Sequence, residues 1–176
     1  MRLLAKLKHH SLPETLGEKV FKRRASRAIV LNGESILLLY TKRYNDFSFP
    51  GGGVDEHEDL VLGLHRELAE ETGASGIKIV KEYGYIDEMR PHYRQEFDLI
   101  HMLSYFYVCE IDSVLGQTHM EHYEVANGME VKWINIHEAI AHNRQVMTSK
   151  DASMGLSIER ETLVLELVAT ELLTKI

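Results

Sequence analysis

At 176 residues, 44% apolar and 27% charged, the chain can bury a real core and has the make-up of one soluble globular domain. Its 20 lysines and arginines against 27 aspartates and glutamates leave a formal charge of −7. That argues against DNA or RNA polymers as partners, because such affinity comes from basic surface that neutralises phosphates. The single cysteine, Cys109, excludes an intrachain disulfide and a cysteine-rich zinc site.

Residues 1–19, with Ser11, Pro13 and Gly17, read as a loose N-terminal extension ahead of one domain over 20–176. Leu3 to Ala5 is too short an apolar run for the core of a signal peptide, and no stretch approaches the roughly 20 apolar residues of a membrane span. The expectation is a cytoplasmic protein with no membrane partner. Lys19, Lys22, Arg23, Arg24 and Arg27 then form a basic run, read as a solvated strand edge or turn. Arg27, nearest the following strand, is a candidate phosphate contact.

Ala28 to Leu31, Asn32-Gly33 and Ile36 to Tyr40 read as a hairpin, because Asn-Gly tolerates positive φ. Residues 41–56 read as a loop holding Phe49-Pro50-Gly51-Gly52-Gly53. Helical periodicity covers 58–72, and Gly73 is placed as its left-handed terminator. Ile77 to Ile86, Leu99 to Ile111 and Val131 to Ile136 read as strands. A short helix follows over 137–145, and a long one runs from Ser157, its expected N-cap, to Thr174. Such an order predicts a mixed sheet with helices on its faces. The last helix carries more leucine and valine than one narrow stripe needs, which leaves monomer and homodimer both open.

The helix over 58–72 holds the most informative pattern. With about 100° per residue and Leu60 at zero, Leu64, Leu68 and Val61 fall between roughly 40° and 100° and make the apolar stripe. Glu71 falls near 20°, inside that stripe, with Glu67 near 340° and Glu70 near 280°. Like charges at these spacings repel, negative charge at a helix C-terminus opposes the macrodipole, and a buried unpaired carboxylate costs more still. A divalent cation reverses all three effects, and hard oxygen ligands suit Mg²⁺ or Mn²⁺. The competing reading is a solvated acidic face with Arg66 and His65 as local partners.

From Gly52 the sequence runs through five residues to Glu58, then seven more to Arg66-Glu67-Leu68-Ala69-Glu70-Glu71-Thr72-Gly73-Ala74. This string resembles the signature of the Nudix hydrolases, G-x5-E-x7-R-E-U-x-E-E-x-G-U, where U is bulky or aliphatic. Every fixed position matches, and Ala74 is a small choice for the last U. The resemblance covers 52–74 directly, and the order of elements fits the family's α/β/α sandwich with a mixed β-sheet.

The resemblance implies hydrolysis of a nucleoside diphosphate linked to another moiety, with Mg²⁺ or possible Mn²⁺ as cofactor. By position it implies Glu67, Glu70 and Glu71 as metal ligands, with Gly52 giving the backbone close access. Arg66 would orient Glu67, and Glu58 would be a supporting carboxylate. Glu70 is the box candidate for activating water. Family members also draw a base from a later loop, here 112–130, where Glu121, Glu124 and Glu130 are candidates and Glu124 is favoured.

For the small-molecule nucleotide substrate, Arg43, Tyr44 and Phe47 are candidates for base stacking or phosphate contact, and Arg90 and Arg94 beside Pro91 are candidates for phosphate or ribose contact. Pro91 and Tyr93 each lie one place from a family subtype marker, and the two markers indicate different substrates. A nucleoside triphosphate pyrophosphohydrolase is the default expectation, with ADP-ribose or a nucleotide sugar second. The alternative of another class is a non-catalytic module that senses a nucleotide.

Overall fold

The computed structural model describes residues 1–173. Its strands, in chain order with the helices, are β1 (Leu3–Lys8), β2 (Val20–Ile29), β3 (Leu31–Asn32), β4 (Ser35–Thr41), β5 (Asp46–Ser48), β6 (Gly51–Val54), α1 (Leu60–Thr72), β7 (Lys78–Arg90), β8 (Leu99–Glu110), α2 (His122–Ala126), β9 (Met129–Asn135), α3 (Ile136–Ser149) and α4 (Ile158–Leu172). Five strands form a mixed sheet in the order β1-β7-β8-β2-β6. There β1 and β7 run parallel, as do β2 and β8, while β7–β8 and β2–β6 are antiparallel. A second, antiparallel sheet is built on β4, which pairs with β3, β5 and β9. No helix among the described residues is long and apolar enough to cross a membrane.

Strand alternation builds the layers. Ala28, Val30, Leu37, Tyr107 and Cys109 face Leu64 and Leu68 of α1. Their sequence neighbours Ile29, Ile36, Leu38 and Phe106 face the other way, packing with Ile136 and Ile140 of α3 and Val164, Leu165 and Val168 of α4. Successive side chains of a strand point to opposite faces, so the strands carry two cores between helices, an α/β/α sandwich. Cys109 lies in the α1 core, and burial pushes its thiol up to about 12, the inert environment of a packed thiol.

Several expectations shift. The segment 1–19 contributes β1, whose Leu4 and Leu7 pack on the core, so its first residues belong to the sheet. From Lys22 the basic run lies on β2: Lys22 and Arg23 are exposed and paired only by β8, as a solvated edge, whereas Arg24 to Arg27 are paired on both sides by β8 and β6 and are internal to the sheet. β2 ends at Ile29, and the chain changes sheets at Val30 before a hairpin whose turn residues are Gly33 and Glu34. Residues 41–56 hold β5 and β6 as well as loop. α1 starts at Leu60, because the Asp59 carboxylate accepts from the Val61 and Leu62 amides; Gly73 closes it in the left-handed region at φ 71°. Ser157 occupies the N-cap position of α4 without a capping hydrogen bond from its side chain. Thr174, the expected end of that helix, lies outside the described residues.

Candidate active site

β2 presents Arg23, Ala25 and Arg27 on one face, and the glycines of β6 lie beside them with Arg27 opposite Gly51 and Ala25 opposite Gly53. The last turns of α1 bring Glu67 and Glu71 against β6. The short helix α2 brings Glu124, and the end of β7 brings Arg90. Together these residues enclose a cavity of about 600 Å³. Carboxylates, glycine backbone and arginines all line it: the Arg23 guanidinium lies where a Cβ on Gly53 would stand, and Arg27 Nη1 is 3.5 Å from the Gly51 carbonyl.

Two glycine positions make that contact possible. Gly51 has φ 132°, and a Cβ there would collide with the Ser26 carbonyl. A Cβ on Gly52 would fall 2.6 Å from Glu67 Oε2. Without side chains, β6 lets the Glu67 carboxylate reach its backbone and lets the Gly51 amide donate to Glu71 Oε2 at 2.6 Å. Glu71 is only 4% exposed. Burial raises its pKa well above the usual carboxylate range, and Glu124 and Glu67 raise it further against the Gly51 hydrogen bond and Arg27. Glu67 is raised first by burial, then by Glu70 and Glu124, with Arg66 opposing. The repulsion that the helical wheel anticipated is therefore present, and Glu124 has joined it from a different element.

Arg66 organises the entrance. Its Nε and Nη2 donate to the two Glu58 carboxylate oxygens at 3.2 Å each, and its Nη1 donates to Glu67 Oε1 at 2.6 Å. The planar fork suits this double grip. Glu70 stands 3.6 Å from the same Nη1 and does not line the cavity, having turned toward Arg66. Glu124 is buried although it sits on a five-residue helix. Its Oε2 accepts from the Glu121 amide at 2.7 Å, and its Oε1 accepts from the Tyr123 hydroxyl at 3.3 Å. Glu121 also borders the cavity, whereas Glu130 lies on β9 and pairs with Lys132 at 3.4 Å.

The other expected substrate contacts separate. Arg27 and Arg90 line the cavity. Tyr44, Arg90 and Arg94 line a neighbouring cavity of about 560 Å³, which shares Arg23 and Arg90 with the first. Phe47 does not reach either space: it is buried, with Tyr40 and His142 rings about it and Asn143 bonded to its backbone. A core position in β5 explains this. Arg43 lies over the Tyr44 ring and donates to Asn127 at 3.1 Å, away from both cavities. His101 of β8 pairs with Asp87 of β7 at 2.7 Å. Arg23 was missed. The alternation Arg23-Ala25-Arg27 was its available signal, obscured because the whole run looked like solvated charge.

Among the described residues, no three His, Cys, Asp or Glu side chains stand close enough to form a ready-made metal cage. The donor set nonetheless fits Mg²⁺ or Mn²⁺. Glu67 and Glu71 are hard oxygen donors held against glycine backbone, where burial disfavours their charge and a cation would offset that cost. Mg²⁺ commonly keeps several waters and shares substrate phosphates, so one or two protein carboxylates suffice.

The NUDIX domain, compared as a family model, matches residues 21–154. The RNA pyrophosphohydrolase of Bartonella henselae is 44% identical over 45 residues, covering 26% of this chain and 26% of that protein. The RNA pyrophosphohydrolase of Caulobacter vibrioides is 54% identical over 37 residues, covering 21% of each. The chain thus spans about a quarter of the length of these curated relatives. Among solved structures, an ADP-ribose pyrophosphatase from Streptococcus suis aligns with TM-score 0.50 at 15% identity, covering 85% of this chain and 93% of that one, a likeness of fold.

Proposed function

The chain belongs to the Nudix family, and on that premise we propose that it hydrolyses a nucleoside diphosphate linked to a second moiety, using Mg²⁺ or Mn²⁺. One observation carries this reading: Glu67, Glu71 and Glu124 line one cavity together with Arg23, Arg27 and Arg90. Such a lining suits a pyrophosphate, because guanidinium groups pair with phosphate oxygens and the carboxylates would hold a divalent cation.

Glu67 and Glu71 would hold the metal beside the Gly52 backbone, and Arg66 fixes the Glu67 carboxylate. When bound, the metal supplies charge neutralisation and a water of lowered pKa. Glu124 Oε1 is the proposed acceptor of that water's proton, since Oε2 is committed to the Glu121 amide. Glu70 would have to turn from Arg66 to join the metal shell. Arg23, Arg27 and Arg90 bind the phosphates, and Tyr44 and Arg94 stand where the cavity continues toward a base or sugar.

The leading substrate class is a nucleoside triphosphate, with ADP-ribose or a nucleotide sugar next. The relatives named RNA pyrophosphohydrolase support a second reading, in which the triphosphate is the 5′ end of an RNA. The test is an initial-rate screen in Mg²⁺ and then in EDTA. Its panel holds nucleoside triphosphates, ADP-ribose, nucleotide sugars, dinucleoside polyphosphates and a 5′-triphosphorylated oligoribonucleotide. Turnover that EDTA abolishes supports the reading. Saturable binding without turnover across the panel would replace it with a nucleotide-sensing module.

A further inference from the structure

Behind the cavity arginines lies a buried group of charges that the proposed reaction does not use. Arg160 and Glu161 sit on the core-facing side of α4, each 1% exposed, and Glu88 of β7 is 4% exposed. Arg160 Nη1 donates to Glu88 Oε2 at 2.6 Å. Its Nη2 and Nε donate to Glu161 Oε1 at 2.7 and 3.2 Å. Each carboxylate then faces a cavity arginine: Glu161 Oε1 is 3.8 Å from Arg27 Nε, and Glu88 Oε1 is 3.9 Å from Arg90 Nη1. Glu161 Oε2 accepts from the Phe49 amide at 2.9 Å. Arg27 Nη1 reaches the Phe49 and Gly51 carbonyls only at 3.4 and 3.5 Å. Arg27 Nε is buried and makes no hydrogen bond.

Stability alone gives little reason for this arrangement. Buried ion pairs seldom improve on apolar packing of the same volume, because desolvation offsets their attraction. The charge balance suggests another purpose. Within this group Glu88 and Glu161 match Arg27 and Arg90 in charge, and Arg160 adds one positive charge; Glu71 acts on Arg27 and Asp46 on Arg160 from beside it.

We propose that Arg160 is a positioning residue for the phosphate side of the cavity: it binds Glu88 and Glu161 from behind, so that these carboxylates aim Arg27 and Arg90 without neutralising them. Arg27, whose Nε makes no hydrogen bond and whose Nη1 reaches its carbonyl partners only at 3.4 and 3.5 Å, is the guanidinium this arrangement leaves for an incoming anion. Arg160 itself touches no substrate; α4 delivers it behind the cavity arginines. The inference rests on the proposed phosphate-binding role of the cavity.

The test measures inorganic pyrophosphate binding by calorimetry in EDTA, alongside kinetics on the best substrate. Arg160→Met should weaken pyrophosphate binding and raise KM by about tenfold, with kcat changed by less than about threefold. Adding Glu161→Gln to Arg160→Met restores the positive excess, and pyrophosphate affinity should return to within about threefold of wild type. A purely structural role predicts the reverse, since the double variant disturbs the core more. Circular dichroism and gel filtration report whether each variant folds. If Arg160→Met does not fold, Glu88→Gln decides: one carboxylate fewer should tighten pyrophosphate binding several-fold. Equal affinity in wild type and the folded variants would overturn the proposal. Absence of turnover across the whole panel would instead count against the hydrolase reading, while the pyrophosphate affinities would still judge Arg160.

Discussion

The Gly51 amide donates to Glu71 Oε2 at 2.6 Å, tying the last turn of α1 to the strand that carries the glycines. This bond holds a carboxylate in a place where burial disfavours its charge. Glu71→Gln keeps an acceptor for the Gly51 amide and removes the charge. The expected outcome is a metal-free melting temperature equal to or above wild type. Mg²⁺-induced stabilisation and turnover should fall by about a hundredfold or more in affinity and rate, as happens when a strained functional group is relaxed. Thermal melts with and without Mg²⁺, together with initial rates, check it. A destabilised variant with full activity would show that Glu71 is a packing residue.

The two adjacent glycines should fail in different ways. On Gly52 an added Cβ meets the end of the Glu67 side chain at 2.6 Å, a group that can swing away. Gly52→Ala is therefore expected to fold, lose about 1 kcal/mol or less, and lose most metal-dependent turnover. On Gly51 the Cβ meets the Ser26 carbonyl, and φ is 132°. Gly51→Ala should cost several kcal/mol by chemical denaturation, because backbone cannot move aside without breaking the β2–β6 pairing.

Asp46 is the group expected to give the protein a pH-dependent stability near neutrality. Burial, then the nearby Glu161, push its carboxyl up to about 7, against the opposing pull of Arg160. The folded state thus holds this proton more tightly than the unfolded state does. The resulting stability is complete below the ordinary Asp value of 3.8 and is lost as pH rises toward about 7. Asp46→Asn should remove this dependence and be more stable than wild type at pH 8, by on the order of 3 kcal/mol. Urea unfolding at pH 5 and pH 8 measures it. Identical pH slopes in the two proteins would refute the assignment.

β1 should matter to stability and not to chemistry. It pairs with β7 over Leu3 to Lys8, and none of its residues lines the cavity of the site. Leu4→Ala should cost about 1–2 kcal/mol, the scale for a half-buried leucine. Removing residues 1–9 should lower the melting temperature by at least about 5 °C while leaving metal-dependent turnover at 20 °C in place. Loss of turnover by a folded truncation would mean that β1 supports the cavity from a distance.

What was legible in the sequence was local in origin. Helical period placed Glu71 inside the apolar stripe of Leu64 and Leu68, and the structure buries it there, because one turn of helix fixes the angle between neighbours. The same geometry accounts for Glu70. Glu70 lies about 100° around the helix from Glu71, so the two cannot share a buried sector, and Glu70 turns to Arg66. Strand alternation was legible for 99–110 and 129–135 for the same reason, and Gly73 closed α1 as its chemistry suggested.

Charge runs behaved differently. The run from Lys19 to Arg27 has the composition of a solvated edge, and Lys22 and Arg23 are exposed, yet pairing on both sides places Arg24 to Arg27 inside the sheet, and Arg23 and Arg27 line a cavity. Phe47 has the composition of a stacking residue, and β5 turns it into the core. Glu124 could not be separated by composition from Glu121 or Glu130; α2 selects it by facing it inward.

The sequence by itself determined the carboxylate side of the site, because Glu67, Glu71, Arg66 and the glycines lie within one short stretch governed by helix period and backbone freedom. Only the tertiary structure decided the arginine side. Arg27, Arg90, Glu88, Arg160 and Glu161 come from β2, β7 and α4, and no local period relates them. Their meeting depends on strand order and on how α4 lies across the sheet, which are set by packing the whole core.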